Sequence, residues 1–497
     1  MMAAEAIQGL RLDQLLDGIA DSGQAAAVCP RDISLDSRKI GDGGLFLACG
    51  GLDGRHGLDH VEEAVRRGAA AVLWEPVPGR APPSLTIPVI AVPELSRQAS
   101  RIADRFFGQP SKGMRVIGIT GTNGKTSISH LIAMALERLG QPAGLLGTLG
   151  AGRPDQLSEV SHTTADAVTV QAQLAELEQS GASRVAMEVS SHGLSQHRVS
   201  AVRFCGALFS NLSHDHLDYH GHETAYAEAK RQLFLHSELE WAVINADDYW
   251  AEHMVSALSP SASCIRVNGQ DALPAADQVR FRHHPRPDGL RVEVTGALGE
   301  ATIDSGWMGH FNAFNLAAAF AALRLEGMPA VEAATALAAV PAVPGRMERF
   351  GGCRHPTVVV DYAHTPDALS QVLSSLREHT AGRLWCVFGC GGDRDRDKRP
   401  VMGQIAARLA DEVIVTDDNP RSEPGEQIVA DILRGAGREA RVCRDRGEAI
   451  EQAIRRARPG DIVLIAGKGH ESVQIVGEER RRFSDRDQVL TLLQEAG

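Results

Sequence analysis

The stretch that most constrains the fold is RVIGITGTNGKTS, residues 115–127. An apolar run predicts a buried strand, GTNGKT predicts a tight Gly-rich loop, and a helical pattern begins directly after it. In such an arrangement, backbone N–H groups and a helix N-terminus surround the oxygens of a phosphate. A strand, loop and helix in this order is typical of a parallel sheet covered by helices, so the chain is predicted to be an α/β protein.

The loop also contains the side chains that nucleotide chemistry requires. Lys125 is placed to reach the β- and γ-phosphates, and the hydroxyl of Thr126 to bind Mg²⁺. The loop is a variant, because the GxxxxGK pattern needs Gly where this chain has Ile119. A dinucleotide-binding turn is the alternative, but it has no use for a Lys-Thr pair. The residues predicted to contact nucleotide phosphates are Gly121, Thr122, Asn123, Gly124, Lys125, Thr126 and Ser127.

Strand and helix patterns alternate through most of the chain, with breaks near residue 112 and across residues 339–352. We predict three domains: a small N-terminal α/β domain (1–112), a central P-loop-type parallel-sheet ATPase domain (113–342) and a C-terminal Rossmann-like domain (343–497). Ligands of such sheets gather at the carboxyl ends of the strands. The polar residues that follow the strands are therefore the candidate site residues.

The net charge and the N-terminal sequence argue against nucleic-acid and membrane partners. The chain has 51 basic and 63 acidic residues, a net charge of −12, so its overall field repels nucleic acid and anionic membranes. The start lacks a basic region followed by an apolar one, and no apolar run has membrane-spanning length. We expect a cytoplasmic protein with no nucleic-acid or membrane partner.

A histidine-rich segment, NLSHDHLDYHGH at residues 211–222, indicates metal chemistry. His214, His216, Asp218 and His220 come close to the HxHxDH pattern of zinc hydrolases, although the last His falls one residue late. Mg²⁺ prefers oxygen ligands, so beside a phosphate loop we expect one of these histidines, at most, to bind metal. A zinc hydrolase remains the alternative.

Glu188 ends the apolar run RVAME, at the position where nucleotide hydrolases place an acidic group that holds Mg²⁺. The other interpretation is a buried Glu paired with a helix N-terminus. The hydroxyl of Thr126 upstream favours the metal role.

A series of motifs resembles the Mur ligase family of bacterial cell-wall synthesis. The motifs are GITGTNGKTS, MEVSSHGLSQHR, NLSHDHLDYHG, AYAEAK, GHFNAFN, VPGRMERF, DYAHTPDAL, GCGGDRDRDKRP, TDDNPR and AGKGHE. The resemblance implies ATP-dependent addition of meso-2,6-diaminopimelate to the D-Glu of UDP-MurNAc-L-Ala-D-Glu through an acyl phosphate, in peptidoglycan precursor synthesis. It implies ATP and two Mg²⁺ as cofactors, with these two substrates as partners of a monomer.

The same resemblance assigns residues to roles. Lys125, Glu188, His216 and Lys230 would be catalytic, and Thr126, Glu188, His216 and Lys230 would hold metal. Lys230 would carry a carbamate, which needs a neutral amine and hence a depressed pKa. The implied nucleotide contacts are Asn315, Arg346, Asp361 and His364. The implied contacts of the UDP-substrate are Leu35 and Ser37 for the uridine part, and Thr163, Thr164, Ser190, Gln196 and Arg198 for the muramoyl dipeptide.

The segment TDDNPRSE bears on which amino acid is added. Pro420 keeps Asn419 out of helical geometry, so Arg421 is expected to project at the end of a strand. Arg matches a carboxylate, and diaminopimelate differs from lysine by one carboxylate. A lysine-adding Mur ligase, a folylpolyglutamate-synthase-like ligase and a nucleotide-dependent binding module remain alternatives. The implied amino-acid pocket is Arg394, Asp418, Asn419, Pro420, Arg421, Gly467 and Glu471.

Overall fold

The computed structural model describes residues 9–51, 54–160, 162–213, 215–269, 276–437 and 439–495. The chain divides into two compact units. The first runs to Asn268 and includes Ala276–Gln278 and Ala321–Met328, whereas the second includes Val279–Phe320 and the chain from Pro329 onward. This division does not test the predicted boundaries after residues 112 and 342, which stay predictions.

A small parallel sheet opens the first unit. Its elements are α1 (Leu12–Leu15), β1 (Asp32–Ser34), β2 (Gly44–Ala48), α2 (Val61–Arg66), β3 (Ala71–Trp74), β4 (Val89–Ala91) and α3 (Leu95–Phe106). The strands pair in the order β1-β2-β3-β4. Strand β2 is buried at every position, as expected when both faces of a parallel sheet are covered.

A larger sheet follows in the same unit. Its elements are β5 (Arg115–Thr120), α4 (Lys125–Arg138), β6 (Ala143–Gly147), β7 (Gly150–Arg153), β8 (Gln156–Ser158), α5 (Ala167–Gln179), β9 (Arg184–Glu188), α6 (Ser191–Ser195), β10 (Phe204–Phe209), α7 (Leu217–His220), α8 (Glu223–Arg231), β11 (Trp241–Asn245), α9 (Ala251–Val255) and β12 (Ser263–Asn268). Strands β12-β11-β10-β5-β9-β6 are parallel, and β7 and β8 extend the edge antiparallel.

The pairing register brings three loops of this sheet together. Ile119 of β5 pairs with Glu188 of β9, and Thr120 pairs with Phe209 of β10. The chain segments after these three strands therefore leave the same edge side by side, which is where ligands of parallel sheets bind.

A buried ion cluster fixes the opposite ends of β5 and β9. Glu326, whose side chain is fully buried, accepts from Arg115 at 2.7 Å and from Arg184 at 3.1 Å. Trp241 donates its indole N–H to the same carboxylate at 3.1 Å. Paired in this way, the buried charge is satisfied and ties three strands together.

The second unit contains most of the remaining residues, although its first strand begins at Gln278 and its first helix ends with residues 321–325, which are assigned to the first unit. Its elements are β13 (Gln278–Arg286), β14 (Gly289–Gly296), β15 (Ala301–Ser305), α10 (His310–Leu325), α11 (Ala330–Ala338), β16 (Glu348–Gly351), β17 (Thr357–Asp361), α12 (Pro366–Arg377), β18 (Leu384–Phe388), α13 (Lys398–Leu409), β19 (Glu412–Val415), α14 (Gly425–Ala436), β20 (Arg441–Val442), α15 (Arg446–Arg456), β21 (Ile462–Ala466), β22 (Val473–Val476), β23 (Glu479–Arg482) and α16 (Asp485–Glu495).

The main sheet of this unit is parallel except at one edge. Its order is β16-β17-β21-β18-β19-β20, with β16 antiparallel, while β13-β14-β15 form a meander and β22-β23 a hairpin. Ala466 of β21 pairs with both Asp361 and Phe388, so the loops after β17, β18 and β21 share one edge.

The predicted fold class, an α/β protein with parallel sheets, is confirmed. One helix differs in detail: the helical pattern over residues 223–236 ends as an α-helix at Arg231 and continues as a 3₁₀ helix over Gln232–Leu235. Among the described residues, none of the helices has both the length and the apolar character that a membrane crossing demands.

Candidate active site

The phosphate loop is shaped by two glycines and held by the chain after β10. Gly121 and Gly124 have φ of +147° and +87°, values that residues with a Cβ rarely adopt. A Cβ on Gly121 would lie 1.9 Å from the hydroxyl oxygen of Ser210. Asn211 accepts from the backbone N–H of Thr122 at 2.8 Å. These contacts hold the loop backbone in one conformation directly before α4, where its N–H groups can surround a phosphate.

Two lysines converge on one carbonyl of this loop. Lys125 and Lys230 each donate to the oxygen of Gly121, at 2.8 and 2.9 Å. Lys230 is only 1% exposed, and its Nζ lies 4.2 Å from the ring centroid of Tyr226. Burial, together with the charge of Lys125, lowers the pKa of Lys230 well below its ordinary value. The neutral amine that carbamate formation needs is thus favoured, whereas the carbamate itself stays a prediction.

Glu188 and Thr126, two of the predicted metal ligands, lie together. The hydroxyl of Thr126 donates to Glu188 Oε2 at 3.0 Å. Thr148 donates its backbone N–H to Oε1 at 2.8 Å and its hydroxyl to Oε2 at 3.2 Å. Burial raises the pKa of the Glu188 carboxyl, and the nearby Lys125 opposes that shift. A hydroxyl beside a carboxylate is an oxygen donor set that suits Mg²⁺.

Thr148 is a site residue that sequence reasoning missed. It lies between β6 and β7, in the segment LGTLG, which carries no recognisable motif. The only sequence signal is its position directly after a buried strand. Its contacts with Glu188 depend on β6 pairing with β9, which a single sequence does not reveal.

His216 lies near Tyr226 but is exposed. It begins α7 with φ of +52°, and its ring centroid is 4.9 Å from that of His192 and 6.1 Å from that of Tyr226. Within the described ranges, no three His, Cys, Asp or Glu side chains form a group that could hold a metal. His214 lies outside those ranges, so the zinc alternative is not tested.

The residues predicted to meet the dipeptide form one hydrogen-bond network with Glu188. The hydroxyl of Thr164 donates to the backbone oxygen of Glu188 at 3.0 Å and accepts from the N–H of Ser190 at 2.9 Å. Arg198 donates to the backbone oxygen of Thr164 and to Oε1 of Gln196, both at 2.6 Å. The hydroxyl oxygens of Thr163 and Thr148 are 3.0 Å apart, so Thr163 is linked to Glu188 through Thr148.

The two residues predicted to meet uridine lie in the small N-terminal sheet, after β1. Ser37 is buried and donates its hydroxyl to Glu63 at 2.8 Å. Leu35 packs against the core of that sheet. The Ser37 hydroxyl is therefore already paired within the chain.

In the second unit, three of the four predicted nucleotide contacts come together after β17. Asp361 is buried and accepts from the backbone N–H groups of Met347 and Ala363, each at 2.8 Å. Burial raises its pKa, and Arg346 opposes the shift. The guanidinium of Arg346 lies 4.7 Å from the ring centroid of Tyr362. His364 Nδ1 lies 2.7 Å from the backbone oxygen of Tyr362.

Asn315, the fourth, lies on α10. It is buried and donates to Asn312 Oδ1 at 2.8 Å.

The predicted amino-acid pocket forms at the edge shared by β19 and β21. Asn419 donates its amide to Glu471 Oε2 at 2.9 Å. Gly467 has φ of +120°, and a Cβ there would lie 2.8 Å from Asp418 Oδ2. Burial raises the pKa of Asp418, while Arg446 and Lys468 oppose that shift. Gly467 therefore leaves room for the Asp418 carboxylate.

The two pocket arginines flank Gly391. A Cβ on Gly391 would lie 2.7 Å from Arg421 Nη1 and 3.6 Å from Arg394 Cγ. Arg421 has φ of +52°, and its backbone bonds to Ile475 and Gly477 of the β22-β23 hairpin, at 3.1 and 2.7 Å. Sequence reasoning missed this hairpin, which fixes the direction of Arg421.

Two segments of the chain match known protein domains. Residues 119–323 match the Mur ligase middle domain, and residues 345–469 match the Mur ligase glutamate ligase domain. The chain belongs to the Mur ligase family.

Its relatives include proteins named for one member of that family, UDP-N-acetylmuramoyl-L-alanyl-D-glutamate–2,6-diaminopimelate ligase. The one from Alkalilimnicola ehrlichii is 46% identical, over 98% of this chain and 99% of its own. The one from Pseudomonas aeruginosa is 48% identical, over 92% and 94%. A solved structure bearing this name is 36% identical with a TM-score of 0.76, covering 98% and 99% of the two chains.

A folylpolyglutamate synthase from Mycobacterium tuberculosis shares the fold alone. It is 20% identical, with a TM-score of 0.58, over 74% of this chain and 92% of its own.

Proposed function

We propose that this Mur ligase joins meso-2,6-diaminopimelate to the D-Glu of UDP-MurNAc-L-Ala-D-Glu, with ATP converted to ADP and phosphate. The observation that carries the proposal is the near full-length similarity to ligases named for this reaction. The site geometry of each unit supports a separate part of the chemistry.

The first step is phosphoryl transfer. An oxygen of the D-Glu γ-carboxylate attacks the γ-phosphorus of ATP, the bond to the β-phosphate oxygen breaks, and ADP leaves an acyl phosphate behind. Lys125 and the N–H groups of the phosphate loop stabilise the charge on the phosphoryl oxygens. Mg²⁺, held by Thr126, Glu188, His216 and a carbamylated Lys230, would add positive charge at the same oxygens.

The second step forms the amide. A neutral amine of diaminopimelate attacks the acyl carbon, phosphate leaves, and the amine nitrogen releases a proton. The protein contributes positioning, and no covalent bond to a side chain is needed.

Selection of the amino acid is assigned to the pocket of the second unit. Arg421 and Arg394 would bind the carboxylate that diaminopimelate has and lysine lacks. Asp418 and Glu471 would bind the ammonium group at the same end. Because lysine brings no carboxylate to match the charge of these two guanidinium groups, it should be a poor substrate.

Phosphate release tests the proposal. Purified protein with ATP and Mg²⁺ should release phosphate only when both UDP-MurNAc-L-Ala-D-Glu and meso-diaminopimelate are present. Equal rates with lysine would contradict the role of Arg421 and favour a lysine-adding ligase. Release with a folate and glutamate instead would favour a folylpolyglutamate-synthase-like enzyme, and activity lost only on zinc removal would favour the hydrolase.

A further inference from the structure

Lys468 is a fully buried lysine at the base of the amino-acid pocket, and the proposed chemistry gives it no role. Its Nζ donates to Asn419 Oδ1 at 3.2 Å, to Glu471 Oε2 at 3.0 Å and to the backbone oxygen of Val473 at 2.8 Å. An ammonium group has three donors, and all three are used. Such complete pairing is what makes burial of a lysine tolerable.

These contacts fix the orientation of Asn419. Its Oδ1 accepts both from Lys468 and from the backbone N–H of Ile475, the latter at 2.9 Å. With two donors on Oδ1, the amide nitrogen must point the other way, toward Glu471. Lys468 thereby sets the direction of one pocket side chain and, through Glu471, of a second.

Lys468 also sets the charge of the pocket. Its Nζ lies 3.8 Å from Asp418 Oδ1 and 3.0 Å from Glu471 Oε2. The neighbouring Arg446 is neutralised separately by buried Asp485, at 2.7 Å. Within this group, the two carboxylates and one ammonium leave one net negative charge, enough for a single substrate ammonium group. Arg394 and Arg421, which would meet the substrate carboxylate, are counted separately.

We propose that Lys468 is a positioning residue that orients Asn419 and Glu471 and reduces the Asp418–Glu471 carboxylate pair to one net negative charge, so that this pair accepts the ammonium of diaminopimelate. This inference rests on the proposed function. Without Lys468, two like-charged carboxylates would repel each other and would also repel the substrate carboxylate nearby.

Steady-state kinetics of Lys468→Met test the inference. We expect the KM for diaminopimelate to rise at least about tenfold, with kcat at saturation within about threefold of wild type. The KM values for ATP and for UDP-MurNAc-L-Ala-D-Glu should stay within about twofold, because the proposed function assigns those substrates to other residues. Lys468→Gln, which keeps a shorter donor, should give a smaller rise.

Val372→Ala is the matched control, because Val372 lies in the core of the same unit on α12. It should lower the unfolding temperature without changing the KM for diaminopimelate. A diaminopimelate KM within twofold of wild type in Lys468→Met would overturn the inference, as would a proportional rise in all three KM values. Unfolding of both Lys468 variants would make the lysine a structural residue and would equally refute it. A wild-type protein inactive with diaminopimelate would instead defeat the proposed function and, with it, this inference.

Discussion

Replacing Glu188 with Gln should greatly reduce activity while leaving the stability of the fold nearly unchanged. Glu188 accepts three hydrogen bonds: one from the Thr126 hydroxyl and two from Thr148. In Glu188→Gln, the amide oxygen can still accept from the Thr148 N–H, and the amide nitrogen can donate to both hydroxyls, which rotate to accept. The Thr148 N–H and both amide hydrogens of the introduced glutamine then have partners.

The expected stability change follows from this count. Hydrogen bonds to a charged group are worth about 1.5–3 kcal/mol and neutral ones about 1 kcal/mol, but Gln also removes a buried charge. We expect the two effects to cancel to within about 1 kcal/mol, a shift of about 2 °C or less in unfolding temperature for a chain of this size. Glu188→Ala leaves three donors unpaired at about 1–3 kcal/mol each, so it should cost about 3 kcal/mol or more.

Catalytic activity, unlike stability, should fall by a similar factor in the Gln and Ala variants. Loss of a carboxylate that would hold Mg²⁺ should reduce kcat about 10²- to 10³-fold in both variants. Thermal unfolding and phosphate release across a Mg²⁺ titration measure the two properties on the same samples. A Glu188→Gln variant that keeps more than about a tenth of the wild-type rate would refute the metal role of the carboxylate. Destabilisation as large as that of Glu188→Ala would refute the hydrogen-bond count.

Three further changes test two site residues and one ion-pair residue of the second unit. Lys230→Met should reduce activity at least about 10²-fold, and ¹³C-bicarbonate should give a carbamate NMR signal in wild type alone; a signal in the variant would contradict the assignment. Arg421→Met should lower kcat/KM for diaminopimelate about 10- to 100-fold while leaving the KM for ATP unchanged, and an equal loss for both substrates would indicate misfolding instead. Hydrogen bonds from Arg399 and from the Asp393 N–H lower the pKa of Glu423 to about 2, below its unfolded value of 4.5. The folded-state pKa is the lower one, so this stabilisation is present above the unfolded pKa and is lost as the pH falls toward the folded one. Glu423→Gln should therefore be less stable than wild type near neutral pH, with the gap closing in acid; a gap that is constant with pH would refute the assignment.

Much of the fold follows from patterns that are local in sequence. Apolar runs that stop at a polar residue correctly place Glu188 at the end of β9 and Asp361 at the end of β17. The Gly-rich loop before α4 is equally local, because its two glycines adopt backbone angles that other residues avoid. For such features, a few neighbouring residues contain the whole physical cause.

The rest of the site depends on contacts between distant segments. Lys230 looks like an exposed helix residue until Tyr226 and the Gly121 carbonyl cover it, and only the family resemblance pointed to it from sequence. Thr148 reaches Glu188 through strand pairing, and the β22-β23 hairpin reaches Arg421 from more than fifty residues away. Pairing partners of this kind carry no signal in a single sequence.

The burial and hydrogen-bond partners of Glu188 and Lys230, together with their pKa shifts, favour a site in the first unit that binds a charged ligand. Burial raises the pKa of the acid and lowers that of the base, so each is pushed toward its neutral form. A purely structural pair would be arranged so that the two charges cancel, whereas Glu188 bonds to threonines and Lys230 to a carbonyl. A bound cation would stabilise the charged Glu188 carboxylate and offset the cost of its burial. That stabilisation contributes to the free energy of binding. Mg²⁺ with ADP should therefore raise the unfolding temperature of wild type more than that of Glu188→Gln, and an equal rise in both would show that Glu188 takes no part in holding the metal.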